Sequence, residues 1–137
     1  MNRKPRILIV DDEEIVRRSY CRLLNGADCD TAAALNGDDA LHAMKRESFD
    51  VVLLDLRMPG ADGMTVLKSI KQKWPQSEVV VITGYPTIET AKEAVRLGAY
   101  DYLAKPVDPD KVIHAAHGAV MHKRWALRQD YTERSTQ

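Results

Sequence analysis

Five polar side chains lie at the ends of short, mainly apolar runs, and they are the residues best suited to chemistry in this chain. They comprise three carboxylates, one hydroxyl and one ammonium group: Asp11, Asp12, Asp55, Thr83 and Lys105. Three carboxylates that meet repel one another unless a cation offsets their charge. Carboxylate oxygens are hard ligands that suit Mg²⁺ together with water and a phosphate, and a lysine can contact a phosphoryl oxygen. The set predicts a site for a divalent cation and a phosphoryl group.

Each of these residues also has a purely structural interpretation. Asp11 and Asp12 begin an acidic run, which can cap a helix or favour the positive end of its dipole. Thr83 is of a type common at strand ends. Asp55 is the hardest to explain in this way, because it closes a fully apolar run where burial is expected. Five such residues at four strand ends favour the functional interpretation.

Short apolar runs predict the strands that must position these side chains. The strands are predicted at residues 7–10, 28–33, 51–54, 79–82 and 100–103. Continuous apolar runs such as 51–54 are typical of strands covered on both faces, whereas the more polar second strand indicates a sheet edge. Residues 58–63, after the third strand, are rich in turn residues.

Apolar residues at helical spacing lie between the strands and predict helices. The core-facing stripes of the first four are predicted to be Val16, Tyr20, Leu23 and Leu24; Ala40, Leu41 and Met44; Val66, Leu67, Ile70 and Trp74; and Ile88, Ala91 and Val95. The fourth helix is predicted over residues 86–97. Five β–α units of this kind imply an α/β fold, a doubly wound parallel sheet with helices on both faces. Ligands of such sheets bind beyond the carboxyl ends of the strands, where the five polar residues fall.

The last helix is predicted to begin with Asp108 as its N-cap and Pro109 as its first residue. Its core stripe is predicted to be Val112, Ile113, Ala116, Ala119 and Val120. His114, Met121 and Trp125 fall on the opposite side, either as a contact surface or as scattered exposed residues. The polar tail from about residue 128 to 137 is predicted to be a linker or a frayed helix end.

Composition and charge exclude several classes of protein. The chain has 137 residues with 20 Lys and Arg against 20 Asp and Glu, which gives a formal net charge of zero. The length fits one domain, and the balanced charge makes it a poor nucleic-acid binder by itself. The apolar run at residues 7–10 is too short for a signal peptide or a membrane span. A cytoplasmic protein is expected.

The cysteines and histidines give no sign of a metal site. Cys21 and Cys29 lack the spacing of a metal-binding pair and are predicted to be buried or half-buried reduced thiols. The four histidines show no partner constellation and are predicted to occupy solvated helix positions: His42, His114, His117 and His122.

Four segments carry a resemblance to a known family: residues 7–13, 54–63, 82–85 and 98–106. In their order and spacing they resemble the receiver domain of two-component response regulators, over about residues 5–123. Residues 84–91 are similar to receivers of enhancer-binding transcription activators and of some hybrid kinases. The resemblance implies a flavodoxin-like receiver fold with five strands in the order 2-1-3-4-5. It divides the chain into a receiver domain, 1–123, and a C-terminal helix extension or linker, 124–137.

The resemblance also implies a role for each matching position. Asp55 matches the phosphoacceptor, assisted by Lys105 and Thr83, and Thr83 and Tyr102 match the switch hydroxyl and the switch aromatic residue. The implied ligands of Mg²⁺ or Mn²⁺ are Asp11, Asp12, Asp55 and the backbone carbonyl of Arg57. Family members usually have a cis peptide bond before the proline that matches Pro106, and Gly63 matches a position that needs a small residue.

The implied function is a phosphorylation-dependent signalling switch that takes its phosphoryl group from a sensor histidine kinase or a phosphotransfer domain. Such a domain is a regulatory phosphoacceptor rather than an enzyme, although it assists its own phosphorylation and dephosphorylation. Family members commonly dimerise through the fourth helix, fifth strand and fifth helix, which makes this face a candidate homodimer contact. Direct contact with nucleic acid or membrane is not expected of this domain.

Other functions are weaker alternatives. Haloacid-dehalogenase-type phosphatases also combine Mg²⁺ with an aspartate nucleophile, but they place a second aspartate where this chain has Arg57. A flavodoxin-like cofactor carrier needs a phosphate-binding loop after the first strand, where the acidic residues 11–14 would repel a phosphate. A plain interaction domain stays open, as does the choice between a stand-alone receiver and the N-terminal domain of a longer protein.

Overall fold

Strands and helices alternate along the whole of the described chain. The computed structural model describes residues 3–58 and 62–135. The elements in these residues are β1 (Arg6–Val10), α1 (Glu14–Asn25), β2 (Asp30–Ala34), α2 (Gly37–Arg46), β3 (Val51–Leu54), α3 (Gly63–Lys73), β4 (Glu78–Thr83), α4 (Ile88–Arg96), β5 (Asp101–Ala104) and α5 (Pro109–Ser135). The predicted turn segment falls partly on residues 59–61, and the predicted tail partly on 136–137, which lie outside the described residues.

The five strands form one parallel sheet in the order β2-β1-β3-β4-β5. This order confirms the predicted fold class and places the more polar β2 at an edge. Val10 pairs with Leu54, so β1 and β3 end side by side. Thr83 pairs with Ala104, so β4 and β5 also end together. The polar residues that close these strands are therefore brought to one edge of the sheet.

Helices cover both faces of the sheet, which explains the continuous apolar runs of its central strands. Leu8, Val52 and Val81 pack with residues of α2, α3 and α4 on one face. Their neighbours along the strands, such as Leu53 and Ile82, pack with residues of α1 and α5 on the other. Every residue of β3 and β4 is buried as a result.

The predicted inner face of α4 is wrong. Ile88 and Val95 are 72% and 67% exposed, whereas Ala94 is fully buried. The stripe that packs on the sheet passes through Thr90, Ala94 and Leu97, one position away from the stripe that the larger apolar residues suggested. Helix α4 approaches the sheet through a small residue, so its large apolar side chains point away from the core.

Helix α5 begins at Pro109, as predicted, and runs to Ser135. Its predicted core stripe is confirmed: Val112, Ala116, Ala119 and Val120 are buried, and Ile113 is half-buried against the same core. The predicted tail is helical as far as Ser135. The division at residues 123 and 124 stays a prediction.

Both cysteines are free, with Cys21 half-buried and Cys29 buried, which confirms the prediction of reduced thiols. The four histidines lie at exposed helix positions, as predicted, but two of them have partners. The Nε2 atom of His117 lies 3.3 Å from the Ala27 carbonyl oxygen and 4.0 Å from Cys29 Sγ. The Nδ1 atom of His122 contacts the Glu78 carboxylate at the start of β4. Its ring lies 5.4 Å from that of Tyr100 and 6.2 Å from that of Trp125, between ring centroids.

No helix among the described residues is both long enough and apolar enough to cross a membrane.

Candidate functional site

The register of the sheet brings three carboxylates together at its carboxyl edge. One oxygen from each of Asp11, Asp12 and Asp55 lies within 4.8 Å of the others. Asp11 and Asp55 directly follow the paired ends of β1 and β3, and they are only 3% and 6% exposed. Asp12 is exposed at the rim. The structure therefore assembles the predicted acidic set from two adjacent strands.

Lys105 carries the opposite charge into this cluster from the end of β5. Its Nζ atom lies 2.9 Å from Asp11 Oδ2 and 3.3 Å from Asp55 Oδ2. The Lys105 backbone N–H donates to the Thr83 carbonyl at 2.8 Å, which anchors this residue to the end of β4. The peptide bond between Lys105 and Pro106 is cis, as the family resemblance implies. One ammonium group thus bridges the two buried carboxylates.

Burial and charge act in opposite directions on the ionisation of this cluster. Burial raises the pKa of Asp55 above its ordinary value, more than the Arg57 N–H and the Lys105 charge lower it. Burial also disfavours the charge of Lys105, but the hydrogen bond and the charge of Asp11, joined by the charge of Asp55, raise the pKa of the lysine. The lysine therefore stays charged at neutral pH, whereas for Asp55 the cost of burying the charge exceeds the stabilisation that its partners provide.

Backbone N–H donors fix the orientation of the buried carboxylates. The Glu13 N–H donates to Asp11 Oδ1 at 2.9 Å, and the Arg57 N–H donates to Asp55 Oδ1 at 3.1 Å. The Arg17 guanidinium donates to the Asp11 carbonyl at 2.8 Å. Each carboxylate uses one oxygen for these contacts and turns the other towards Lys105.

The donor set fits a hard divalent cation. Clustered carboxylate oxygens, with room for water, are what Mg²⁺ prefers, and an acidic aspartate cluster of this kind is typical of the receiver Mg²⁺ site. The cluster opens into a cavity of about 490 Å³, which Asp12, Asp55 and Lys105 line together with Arg57 and Tyr85. The cavity gives an ion and a phosphoryl group access to Asp55.

The two predicted switch residues lie near this cavity, each with its own partner. Thr83 is 1% exposed, and its Oγ1 atom accepts a hydrogen bond from the Tyr85 N–H at 3.1 Å. The Tyr102 hydroxyl lies 2.6 Å from Thr90 Oγ1 and accepts from the Thr87 N–H at 3.3 Å. These two threonines also cap the N-terminus of α4. The hydroxyl of Tyr102 is thereby linked to the start of that helix.

The position of one residue and one contact between two others at the site were not predicted from the sequence. Tyr20 was predicted only as a core residue, yet it lies beside Asp11 and Asp55 under the cluster. Burial raises the pKa of Tyr20, against the lowering effect of Lys105. The Arg57 guanidinium lies over the Tyr85 ring, 3.9 Å from its centroid. That contact joins two loops, so the spacing of residues along the chain does not reveal it.

A family model described as the response regulator receiver domain matches residues 7–117. Among characterised relatives, the DNA-binding transcriptional regulator NtrC of Salmonella typhimurium is 37% identical over 116 residues, which cover 85% of this chain and 25% of that protein. The regulatory protein AtoC of Escherichia coli is 44% identical over 107 residues, which cover 78% of this chain and 23% of that protein.

A solved structure leads to the same family. The crystal structure of NtrX from Brucella abortus matches with a TM-score of 0.84 and 35% identity, over 93% of this chain and 29% of that one. The chain spans about a quarter of the length of these relatives. The family match, the parallel sheet and the acidic cluster at its edge show that the chain belongs to the response regulator receiver domains, the phosphorylation-controlled switches of two-component signalling.

Proposed function

We propose that Asp55 accepts a phosphoryl group from a phosphohistidine of a partner sensor histidine kinase or phosphotransfer domain. The observation that carries the proposal is the position of Asp55, which is buried at the end of β3 with the Lys105 ammonium 3.3 Å from its carboxylate. A carboxylate oxygen would bond to phosphorus as the bond from phosphorus to the histidine nitrogen breaks, giving an aspartyl phosphate. Such a transfer depends mainly on positioning and charge neutralisation.

The same proposal assigns a cation to the acidic cluster. Asp11, Asp12, Asp55 and the backbone carbonyl of Arg57 would hold Mg²⁺ or Mn²⁺. The ion would supply positive charge against the phosphoryl oxygens. Lys105 supports this assignment, because its single charge leaves three clustered carboxylates incompletely neutralised. During the transfer, the Lys105 ammonium group would donate a hydrogen bond to a phosphoryl oxygen.

The phosphoryl group would act as a switch through Thr83 and Tyr102. A new phosphoryl oxygen can accept from the Thr83 hydroxyl, and the resulting movement would give Tyr102 room to turn inward. Shifting a two-state equilibrium from about 1:99 to 99:1 needs about 5.5 kcal/mol, whereas a hydrogen bond to a charged group contributes about 1.5–3 kcal/mol. Several contacts must therefore cooperate, and the phosphoryl group biases an equilibrium that already exists.

The output and assembly of the protein extend the proposal. Because the NtrC relatives are DNA-binding transcriptional regulators, we infer a transcriptional output for the protein that contains this domain.

A homodimer through α4, β5 and α5 is a further part of the proposal. The exposed side chains of Val95 on α4 and Trp125 on α5 support it. Sedimentation with and without a phosphodonor tests the dimer, and a phosphorylation-independent mass would contradict its link to the switch. The cytoplasmic location stays a prediction.

The phosphoacceptor is tested by labelling with acetyl phosphate in the presence of Mg²⁺. We expect Asp55→Asn to abolish labelling and Asp38→Asn, an exposed carboxylate on α2, to retain it. Undiminished labelling of Asp55→Asn would contradict the assignment. If the wild-type protein is labelled by neither acetyl phosphate nor a phosphorylated kinase, the result would favour a plain interaction domain that is not phosphorylated.

The switch is tested with Thr83→Ala. We expect this variant to be labelled, but we expect labelling to change the NMR signals of the Tyr102 ring less than it does in wild type.

A further inference from the structure

Cys29 and His117 bring a thiol and an imidazole together at the edge where the strands begin, across 88 positions of sequence. Cys29 lies directly before β2 and is 2% exposed, whereas His117 occupies an exposed position of α5. The Cys29 thiol donates to the Ala27 carbonyl at 3.7 Å, and His117 Nε2 lies 3.3 Å from the same oxygen. Because both side chains turn towards one carbonyl, Cys29 Sγ and His117 Nε2 lie 4.0 Å apart.

The distance between these two atoms is within the reach of one metal ion. In zinc sites the bonds are about 2.3 Å to sulfur and about 2.0 Å to nitrogen, so one ion can join atoms up to about 4.3 Å apart. With bonds of these lengths, a separation of 4.0 Å gives an angle of roughly 135° at the ion. That angle is wider than the tetrahedral angle of structural Zn²⁺ sites, and it suits Cu(I), which takes two or three ligands.

The neighbouring side chains also favour Cu(I). Thiolate and thioether are soft ligands that select Cu(I), and imidazole binds copper as well. Met121 supplies a thioether, because it lies one helical turn after His117 and the two side chains line the same groove of about 450 Å³. Met121 is 59% exposed, so core packing does not hold its side chain in place.

The charges around the thiol suit a cation with a single charge. Burial raises the pKa of the Cys29 thiol, and the carboxylates of Asp28 and Asp30 raise it further. The negative charge that helps to retain the thiol proton also attracts a cation in its place. Three basic residues line the groove as well: Arg3, Lys4 and Arg124. Their charge repels a divalent ion more strongly than a monovalent one.

We propose that Cys29 and His117 form a binding site for Cu(I), with Met121 as a third ligand. On binding, the thiol proton is released to solvent, and the sulfur and the Nε2 lone pair each bond to the ion. The neutral imidazole then carries its proton on Nδ1. Copper enters and stays as Cu(I), so the step needs no oxidant or reductant. The ion would join α5 to the segment before β2 and would therefore stabilise the folded chain.

The test is competition for Cu(I) with the chromogenic chelator bicinchoninate, without oxygen and with ascorbate to keep the copper reduced. We expect the wild-type chain to withdraw one equivalent of Cu(I) from the chelator. Cys29→Ser and His117→Gln should each bind at least about tenfold more weakly, since even residues that only support a metal ligand contribute that much. Met121→Leu should weaken binding by a smaller factor.

The chain offers a matched control for the cysteine and for the histidine. Cys21→Ser changes the other free cysteine, and His114→Gln changes an exposed histidine about one turn earlier on α5. Both variants should bind Cu(I) as wild type does. Asp55→Asn should also retain binding, which separates this site from the acidic cluster at the opposite edge of the sheet. Circular dichroism reports which variants are folded, and the exposed position of His117 keeps its variant informative if Cys29→Ser unfolds.

Each outcome decides the assignment. The site is overturned if wild type withdraws no Cu(I), or if folded His117→Gln binds as tightly as wild type. Equal losses in Cys21→Ser and Cys29→Ser would show that thiols bind copper without a built site. If an equal concentration of Zn²⁺ displaces the copper, the assignment to Cu(I) is wrong. Loss of binding in the two ligand variants, with both controls unchanged, supports the site whether or not Asp55 accepts a phosphoryl group.

Discussion

Lys105 Nζ lies 2.9 Å from Asp11 Oδ2, across 94 positions of sequence. The ammonium also reaches Asp55, so one lysine stands against two carboxylates that are almost fully buried. In a partly buried site, where the effective dielectric constant is low, such a charge interacts strongly with its partners. The lysine therefore has two consequences: it stabilises the folded domain, and it competes with any cation for the carboxylates.

Replacing Lys105 with methionine should expose both consequences. We expect Lys105→Met to lower the free energy of unfolding by about 1–3 kcal/mol in EDTA, because two buried carboxylates lose their charged donor. Millimolar Mg²⁺ should restore part of that loss, and more in the variant than in wild type. Urea unfolding with and without Mg²⁺ measures both effects. Lys92→Met, an exposed lysine on α4, is the control, and an equal response to Mg²⁺ in both proteins would refute the competition.

The location of this site could be predicted from sequence for a simple geometric reason. In a parallel sheet all strands end at the same edge, so Asp55 and Lys105 were placed at one edge once residues 51–54 and 100–103 were recognised as strands. Their approach also depends on the strand order, which places only β4 between β3 and β5. The apolar run at residues 51–54 made that strand easy to recognise, because a central strand covered on both faces has no polar face.

The orientation of side chains and the contacts between distant segments could not be predicted in the same way. The face of α4 was mispredicted because Ala94, a small residue, makes the close approach while Ile88 and Val95 point outward. The contacts of Arg57 with Tyr85 and of His122 with Glu78 join segments whose separation is set by the whole fold. Residue type and local spacing contain no information about such distances.

The raised pKa of Asp55 predicts a pH-dependent cost to stability. A carboxyl group whose folded pKa lies above its unfolded value destabilises the fold wherever it is ionised. That cost falls as the pH drops through the folded pKa, and it is gone below the ordinary value of 3.8. We therefore expect Asp55→Asn to be more stable than wild type near pH 7 in EDTA, by about 1–2 kcal/mol.

The gain should shrink towards zero between neutral pH and pH 3, where the wild-type carboxyl is protonated as well. Urea unfolding of the two proteins across this interval measures the difference. Asp38→Asn, an exposed carboxylate on α2, should show no comparable gain. A gain that stays constant with pH would mean that ionisation of Asp55 is not its cause.

The lowered pKa of Asp50, at the other end of the sheet, predicts a pH dependence of stability opposite to that of Asp55. Burial opposes its charge, but the Arg6 N–H and the Lys123 ammonium, 2.7 Å from Asp50 Oδ1, together hold its pKa below the ordinary value. A carboxyl group of this kind stabilises the fold above its unfolded pKa, and the stabilisation is lost as the pH falls through the folded pKa. The ion pair also fastens α5 to the loop before β3.

Lys123→Met should therefore lower the free energy of unfolding by about 0.5–1.5 kcal/mol near pH 7. The difference from wild type should close only at pH values below the ordinary Asp50 pKa of 3.8. Chemical denaturation from pH 7 to pH 2.5 provides the measurement, with Lys111→Met, an exposed lysine on the same helix, as control. If the difference in the free energy of unfolding disappears near pH 6 instead, Lys123 owes its stabilising effect to a group other than Asp50.

Gly63 predicts a steric requirement beneath the loop that follows Asp55. An ideal Cβ on this glycine would lie 2.4 Å from Leu56 Cα and 2.6 Å from the Leu56 carbonyl oxygen, both of them backbone atoms. Gly63→Ala should therefore cost about 2–3 kcal/mol of stability, since backbone must move. Gly26→Ala is a matched control, because its nearest atoms are at 3.5 Å and its φ is −67°. Equal unfolding midpoints for the two variants would contradict the steric argument.

Thr90 predicts a link between the switch aromatic residue and the start of α4. Its hydroxyl lies 2.6 Å from the Tyr102 hydroxyl and also takes part in the capping box with Thr87. Thr90→Val removes both contacts at constant volume and should lower stability by about 1 kcal/mol. It should also change the NMR signals of the Tyr102 ring, whereas Thr90→Ser keeps the hydroxyl and should preserve them. If Thr90→Val leaves those signals unchanged, the helix cap and Tyr102 are independent, and movement of Tyr102 would not be transmitted to α4 through this hydroxyl.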